Sequence, residues 1–74
     1  MKFTLTIDCG NDAFCDNEGQ CTIDSAKYEI ARILQSISSK VENNGLSGMF
    51  ENIKDINGNI VGKYAIKPND YFKG

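Results

Sequence analysis

Apolar and polar residues alternate at the start of the chain. Phe3, Leu5 and Ile7 fall on one side of a period-two pattern, and the residues between them are threonines. Such alternation is typical of a strand with one buried face. The pattern predicts a first strand over residues 2–8. From Cys9 to Thr22 the periodicity is lost among glycine, asparagine and aspartate residues, which favour turns, so a long loop is predicted there.

The next segment has helical periodicity. Its apolar residues recur at spacings of three and four, namely Ile30, Ile33, Leu34, Ile37 and Val41. This spacing predicts an amphipathic helix over residues 24–43, with Asp24 or Ser25 as its N-cap. Glu29 and other polar residues are assigned to the solvent-facing side. Gly45 predicts the end of the helix, because glycine readily adopts the left-handed conformation that closes one.

Two further strands are predicted on either side of Asn57-Gly58, a residue pair favoured in tight hairpin turns. They cover residues 49–56 and 59–66. A two-residue turn would gather five residues on one face: Met49, Ile53, Ile60, Tyr64 and Ile66. It would leave three on the outer face: Phe50, Ile56 and Val61. A three-residue turn with a bulge would separate some of these residues. We expect the two-residue turn, because its register collects apolar side chains on one face.

These elements predict an α+β fold of order β-α-β-β. A three-stranded antiparallel sheet carries one amphipathic helix packed on one face. Residues 1–66 are expected to form a single domain. Pro68 cannot donate a ladder hydrogen bond, so residues 67–74 are interpreted as a C-terminal tail containing Tyr71-Phe72.

Composition narrows the classes of function. The chain lacks histidine, the commonest general base and zinc ligand, so we expect no catalytic residues, no enzyme and no cofactor. A net charge of −2 and scattered lysines argue against direct nucleic-acid binding. No apolar run approaches the roughly 20 residues that a membrane span needs. The amino terminus does not resemble a signal peptide, so a cytoplasmic location is expected.

The three cysteines have a regular spacing, with five residues between neighbours. They are Cys9, Cys15 and Cys21. Structural zinc sites place their ligands in closer pairs and complete a tetrahedron, so we expect no metal site. In a chain that is not exported, cysteines are normally reduced. We therefore expect thiols that are partly buried beneath the loop, with no disulfide framework.

Five of the ten acidic residues lie between Lys2 and Lys27 without a basic residue among them: Asp8, Asp12, Asp16, Glu18 and Asp24. Five acids and eight bases remain elsewhere, so this stretch carries −5 and the rest of the chain +3. The stretch is either a solvated loop or an acidic surface that contacts a basic patch on another protein. Phe14, within it, is either an internal anchor of the loop or an exposed interface residue.

At three places the chain resembles small phage and prophage accessory proteins. The matching segments are Asn11-Asp12-Ala13-Phe14, similar to an NAAF-like loop; Glu29-Ile30-Ala31-Arg32-Ile33-Leu34, an EIARIL helix; and Asp55-Ile56-Asn57-Gly58-Asn59-Ile60-Val61-Gly62, a DxNGNxVG hairpin. Asp12 stands where that loop pattern has alanine. The resemblance implies a non-enzymatic protein of the host-cell cytoplasm that binds and inhibits a host or bacterial defence protein, as anti-CRISPR proteins do. It carries over no catalytic residues.

Two hypotheses follow. In the first, the chain inhibits a protein with a basic surface, and its partner-binding residues are Asp12, Phe14, Asp16 and Glu18. In the second, the chain is a self-assembling module, a homodimer formed through an exposed sheet edge or the outer sheet face, with a small-ligand pocket. A domain of this size has a small core and a stability of only about 3–5 kcal/mol, which favours help from a partner or a second copy.

Overall fold

The computed structural model describes residues 1–67. The elements are β1 (Lys2–Ile7), a 3₁₀ turn (Asp12–Phe14), α1 (Ile23–Asn44), β2 (Glu51–Lys54) and β3 (Ile60–Lys67). β3 is the central strand of a sheet ordered β1-β3-β2, and both of its neighbours are antiparallel to it. The predicted α+β class, with one helix on a three-stranded antiparallel sheet, is confirmed. Lys67 belongs to β3 and not to the tail, and residues 68–74, with Tyr71 and Phe72, lie outside the described residues.

The helix begins with a reciprocal capping box. The Thr22 hydroxyl oxygen accepts a hydrogen bond from Ser25 N–H at 3.1 Å, and Ser25 Oγ accepts one from Thr22 N–H at 2.9 Å. The prediction of Asp24 or Ser25 as the N-cap is therefore wrong, because the hydroxyl pair places the cap three residues before Ser25. At the other end Gly45, at φ +80°, donates from its N–H to Val41 O at 2.9 Å and terminates the helix as predicted.

The hairpin turn contains three residues, not the two predicted. Gly58 N–H donates to Asp55 O at 3.0 Å, and Asp55 N–H donates to Asn59 O at 2.9 Å. Gly58 adopts φ +87°, whereas Asn57 does not adopt positive φ. The Asp55 carboxylate stabilises the wider turn because it accepts from the N–H groups of Asn57 and Asn59, each at 2.9 Å. This is the turn-plus-bulge form of a hairpin.

A second irregularity follows in the ladder. Lys54 pairs with Ile60, but Ile53 pairs with Gly62, so β3 gains one residue over β2. The bulge directs the Val61 side chain into the core and leaves the Ile60 side chain 61% exposed. The predicted face assignment is therefore wrong for both residues, and also for Met49, which is exposed.

The core lies between α1 and the inner face of the sheet. Its buried members are Phe14, Ala26, Ile33, Ile37, Ile53, Val61 and Tyr64. Phe14 and Ile33 are the largest of the wholly buried side chains. The loop before the helix thus supplies a central core residue. Within residues 1–67 no helix combines the length and the apolar character that crossing a bilayer requires.

Candidate partner-binding loop

The acidic stretch, residues 8–24, consists of the loop between β1 and α1 and the first two residues of α1, and its loop part contains two hydrogen-bonded turns. In the first, Asn11 Oδ1 accepts from Ala13 N–H at 3.0 Å and starts the 3₁₀ turn. In the second, Asp16 Oδ1 accepts from the N–H groups of Glu18 and Gln20 at 2.8 and 2.9 Å. Asp16 N–H also donates to Gln20 O at 2.9 Å. Most of the loop backbone is therefore fixed by local bonds. We call residues 8–24 the acidic loop.

A disulfide between Cys15 and Cys21 closes the second turn. The expectation of three reduced thiols is therefore wrong for this pair, and only Cys9 is a free thiol, half-buried. The backbone bond between Asp16 and Gln20 brings the two cysteines on either side of it together. Sequence reasoning inferred the redox state from the expected compartment and did not consider this turn geometry. Within residues 1–67 no group of three or more cysteine or acidic side chains is placed to hold a metal ion.

Phe14 anchors the acidic loop to the body of the protein. Its side chain is 0% exposed and belongs to the core beneath the helix. Ser25 Oγ donates to Phe14 O at 2.9 Å, which ties the same residue to the first turn of α1. Of the two alternatives for Phe14, the structure therefore shows the internal anchor of the loop. Phe14 offers no surface to a partner, so its prediction as a contact residue is corrected, because the core needs its ring.

The other three predicted contact residues are exposed on the acidic loop: Asp12, Asp16 and Glu18. The ion pairs among residues 1–67 are Asp24–Lys27, at 3.0 Å, and Glu29–Arg32, at 2.8 Å. Neither involves these three carboxylates. Hydrogen bonding to Asp24 raises the pKa of Lys27. The negative charge of the loop is thus partly neutralised at Asp24 and retained at the three predicted positions.

A buried aspartate links the acidic loop to the hairpin. Asp55 is 5% exposed and accepts a hydrogen bond from Asn11 Nδ2 at 2.7 Å, in addition to its bonds within the turn. Burial alone would raise the pKa of Asp55. The hydrogen bonds from Asn59, Asn11 and Asn57 together outweigh burial and lower that pKa. The ionised carboxylate therefore holds two distant chain segments together.

A second buried acid links the helix to the same hairpin. Glu29 is only 6% exposed, which corrects its assignment to the solvent-facing side. Arg32 donates to both of its carboxylate oxygens at 2.8 Å, and Ile56 N–H donates to Oε2 at 2.8 Å. The hydrogen bonds from Arg32 lower the pKa of Glu29, against the opposing effect of burial. One signal was available in the sequence, because Glu29 lies four residues before Ile33 and therefore on the same helix face.

These polar residues form one junction, which consists of Asn11, Glu29, Arg32 and Asp55. The loop at residues 11–14, the helix segment 29–34 and the hairpin segment 55–62 each contribute to it. Within the described part of the chain, every buried side-chain nitrogen or oxygen has a hydrogen-bond partner. The junction therefore has no unpaired group directed at a ligand. Its residues connect the loop, the helix and the hairpin, which is a structural role.

The surface has two other distinctive regions. On the outer sheet face, the Lys63 and Lys67 ammonium groups lie 4.9 and 5.3 Å from the centre of the Phe50 ring. Beside β1 an apolar groove of about 650 Å³ runs between strand and helix, and its lining includes Phe3, Leu5, Leu34, Val41 and Leu46.

Comparison with known proteins gives no relative from which a function could be transferred. No protein-family model matches the chain, and no curated protein or solved structure matches it. The candidate sites are therefore those that the chain itself presents, the three carboxylates of the acidic loop and the groove beside β1.

Proposed function

We propose that the chain is a non-enzymatic phage or prophage protein that inhibits a host or bacterial defence protein, as anti-CRISPR proteins do. The acidic loop would cover a basic surface of that target. The observation that carries this proposal is the exposure of Asp12, Asp16 and Glu18 on a loop that is fixed from three sides. Phe14 fixes it in the core, the disulfide closes it, and the Asn11–Asp55 bond ties it to the hairpin.

Rigidity matters for binding because ordering a mobile loop subtracts from affinity. A loop that already has its bound conformation avoids that cost. Asp16 uses one carboxylate oxygen to hold Glu18 and Gln20 N–H, so its position is set before any partner arrives. The acidic loop therefore presents its carboxylates in a fixed pattern.

The chemistry of the loop favours a partner rich in arginine and lysine. Carboxylates form charge-assisted hydrogen bonds with the side chains that otherwise hold nucleic-acid phosphates. The local charge of −5 would also steer such a partner toward this end of the molecule. The interaction should weaken with added salt, since screening acts on exposed charges.

The structure improves the choice of variants for a test. Phe14 must be left intact, because its replacement would damage the core. Asp12→Asn with Glu18→Gln removes two exposed charges without changing side-chain shape. Glu42→Gln with Glu51→Gln removes two exposed charges outside the loop and serves as the matched control.

The tagged chain would be used to capture partners from lysates of bacteria that carry an active CRISPR system, and affinity for the captured protein would then be measured. We expect the loop variant to bind at least roughly tenfold more weakly, and the control variant to bind like the original chain. In cells, the original chain should raise the plating of a phage that the CRISPR system targets, and the loop variant should not. Absence of a specific partner, or equal binding by both variants, would overturn the proposal.

A further inference from the structure

β1 is an edge strand whose outer side is ready to pair. It has β3 on one side and no strand on the other among residues 1–67. Asp8 N–H donates to Val61 O at 2.7 Å, and the β1–β3 register is regular from Lys2 to Ile7. Bonds of an antiparallel ladder alternate along the strand, so even-numbered residues bond to β3. The N–H and C=O groups of Phe3, Leu5 and Ile7 therefore point away from the sheet.

β1 also lacks the features that normally protect a sheet edge. Proline, bulges and charges within the strand are the usual protection. The interior of β1, residues 3–7, consists of threonine and large apolar residues. β2, at the opposite edge, is shorter, carries charges at Glu51 and Lys54, and faces the bulge. The two edges are thus unequal, and β1 is the one suited to association.

We propose that β1 pairs with β1 of a second copy of this chain, antiparallel, about a two-fold axis at Leu5. The sequence around Leu5 is chemically self-complementary. In this register four kinds of pair form: Lys2 with the partner's Asp8, Phe3 with the partner's Ile7, Thr4 with the partner's Thr6, and Leu5 with the partner's Leu5. Opposite charges meet at the ends, apolar residues meet apolar residues, and threonines meet threonines, all of which are favourable cross-strand pairs.

The hydrogen-bonding pattern agrees with this register and excludes a shift by one residue. Pairing about Leu5 places Phe3 opposite the partner's Ile7, and Leu5 opposite the partner's Leu5. The outward-pointing backbone groups of the two strands then face one another. Each N–H of these residues would meet a C=O of the partner strand. A shift by one residue would bring the outward groups against even-numbered residues of the partner's β1, whose N–H and C=O groups are already bonded to its β3. It would also separate Lys2 from Asp8.

The groove beside β1 adds an apolar surface to the same edge. Phe3, Leu34 and Leu46 are exposed there. Pairing about Leu5 would bring the two grooves together along the helix-covered face of a six-stranded sheet. The two acidic loops would lie at opposite ends of the seam, with Asp12 and Glu18 still exposed. The association uses Asp8 but neither Asp12 nor Glu18, so it does not require the proposed inhibitory function.

Charge reversal tests the register. Sedimentation velocity, from low micromolar to submillimolar concentration, should show a dimer of the original chain. Lys2→Glu and Asp8→Lys, each alone, should weaken the dimer roughly tenfold, because two opposite-charge pairs become two like-charge pairs. The double variant K2E/D8K should restore the original affinity. Lys40→Glu, the same charge change on an exposed helix position, should have no effect.

Loss of folding does not explain the expected result for Lys2→Glu. In the single chain Lys2 lies opposite Lys67 across the β1–β3 ladder, so a glutamate there replaces a like-charge pair by an opposite-charge pair. A second readout identifies the seam. Amide exchange at Phe3, Leu5 and Ile7 should slow as concentration rises. A strict monomer, a double variant without rescue, or a dimer in which these three amides stay unprotected would each overturn the proposal.

Discussion

Replacing Glu29 with alanine removes three hydrogen bonds at once, two from Arg32 and one from Ile56 N–H. The bond from Ile56 N–H is half-buried, and a backbone N–H left without a partner at such a place costs up to about 2 kcal/mol. The Arg32 side chain is 39% exposed, so its freed guanidinium regains water, and loss of that pair costs only about 1 kcal/mol. We therefore expect Glu29→Ala to lower the free energy of unfolding by up to about 3 kcal/mol. That is most of the stability of a domain this small.

Urea unfolding followed by circular dichroism measures this loss. Glu42→Ala is the control, because Glu42 is an exposed acid on the same helix and its replacement should change stability by less than about 0.5 kcal/mol. Glu29→Gln keeps the volume and one acceptor oxygen, and should lose about 1–2 kcal/mol. If Glu29→Ala costs no more than Glu42→Ala, the carboxylate does not connect the helix to the hairpin.

The same carboxylate predicts an acid dependence. Arg32 lowers the pKa of Glu29 below its ordinary value of 4.5, so the folded state binds a proton less readily than the unfolded chain. The stability from this group is present above pH 4.5 and is lost as the pH falls through the lower, folded-state pKa. Glu29→Gln should therefore reduce the acid sensitivity of unfolding. Equal acid sensitivity in the variant and the original chain would refute this linkage.

Two further predictions concern the acidic loop. Phe14→Ala should cost about 3–5 kcal/mol, seen as a near-complete loss of the urea transition, and a variant that unfolds like the original chain would show that the ring is not in the core. Before reduction, one thiol per chain, that of Cys9, should react with a thiol reagent under denaturing conditions, and three should react after reduction. Cys15→Ser should cost about 2 kcal/mol, the chain-entropy contribution of so short a closed loop, and two or three reactive thiols before reduction would refute the disulfide.

Much of the fold could be predicted because hydrophobic periodicity reports directly which face of an element is buried. The pattern of Phe3, Leu5 and Ile7 and the helical stripe around Ile33 indicated β1 and α1 to within one or two residues. The prediction of the hairpin turn was wrong for a local reason. Asn57-Gly58 fits both a two-residue and a three-residue turn. The choice depended on hydrogen bonds that the Asp55 carboxylate accepts, which periodicity does not report.

The candidate site was harder to predict because it depends on contacts between distant segments. The acids were identified from the distribution of charge along the chain, but the burial of Phe14 depends on the helix packing over it. Glu29 was misassigned because a charged residue was assumed to face water. Its partners include Ile56 N–H, 27 residues further along the chain, and only the folded structure brings them together.

The polar junction also limits what resemblance can reveal about function. Asn11, Glu29 and Asp55 direct their side chains inward, where each is bonded to a neighbouring segment. Proteins that share these residues would share this structural junction, whatever they bind. A target would instead be selected by residues that lie outside the junction and are exposed, such as Asp12. Asp12→Ala therefore separates the two roles: it should leave stability within about 0.5 kcal/mol of the original chain while weakening capture of the partner. A fall in stability without any change in capture of the partner would show that Asp12 has a structural role and does not bind the partner.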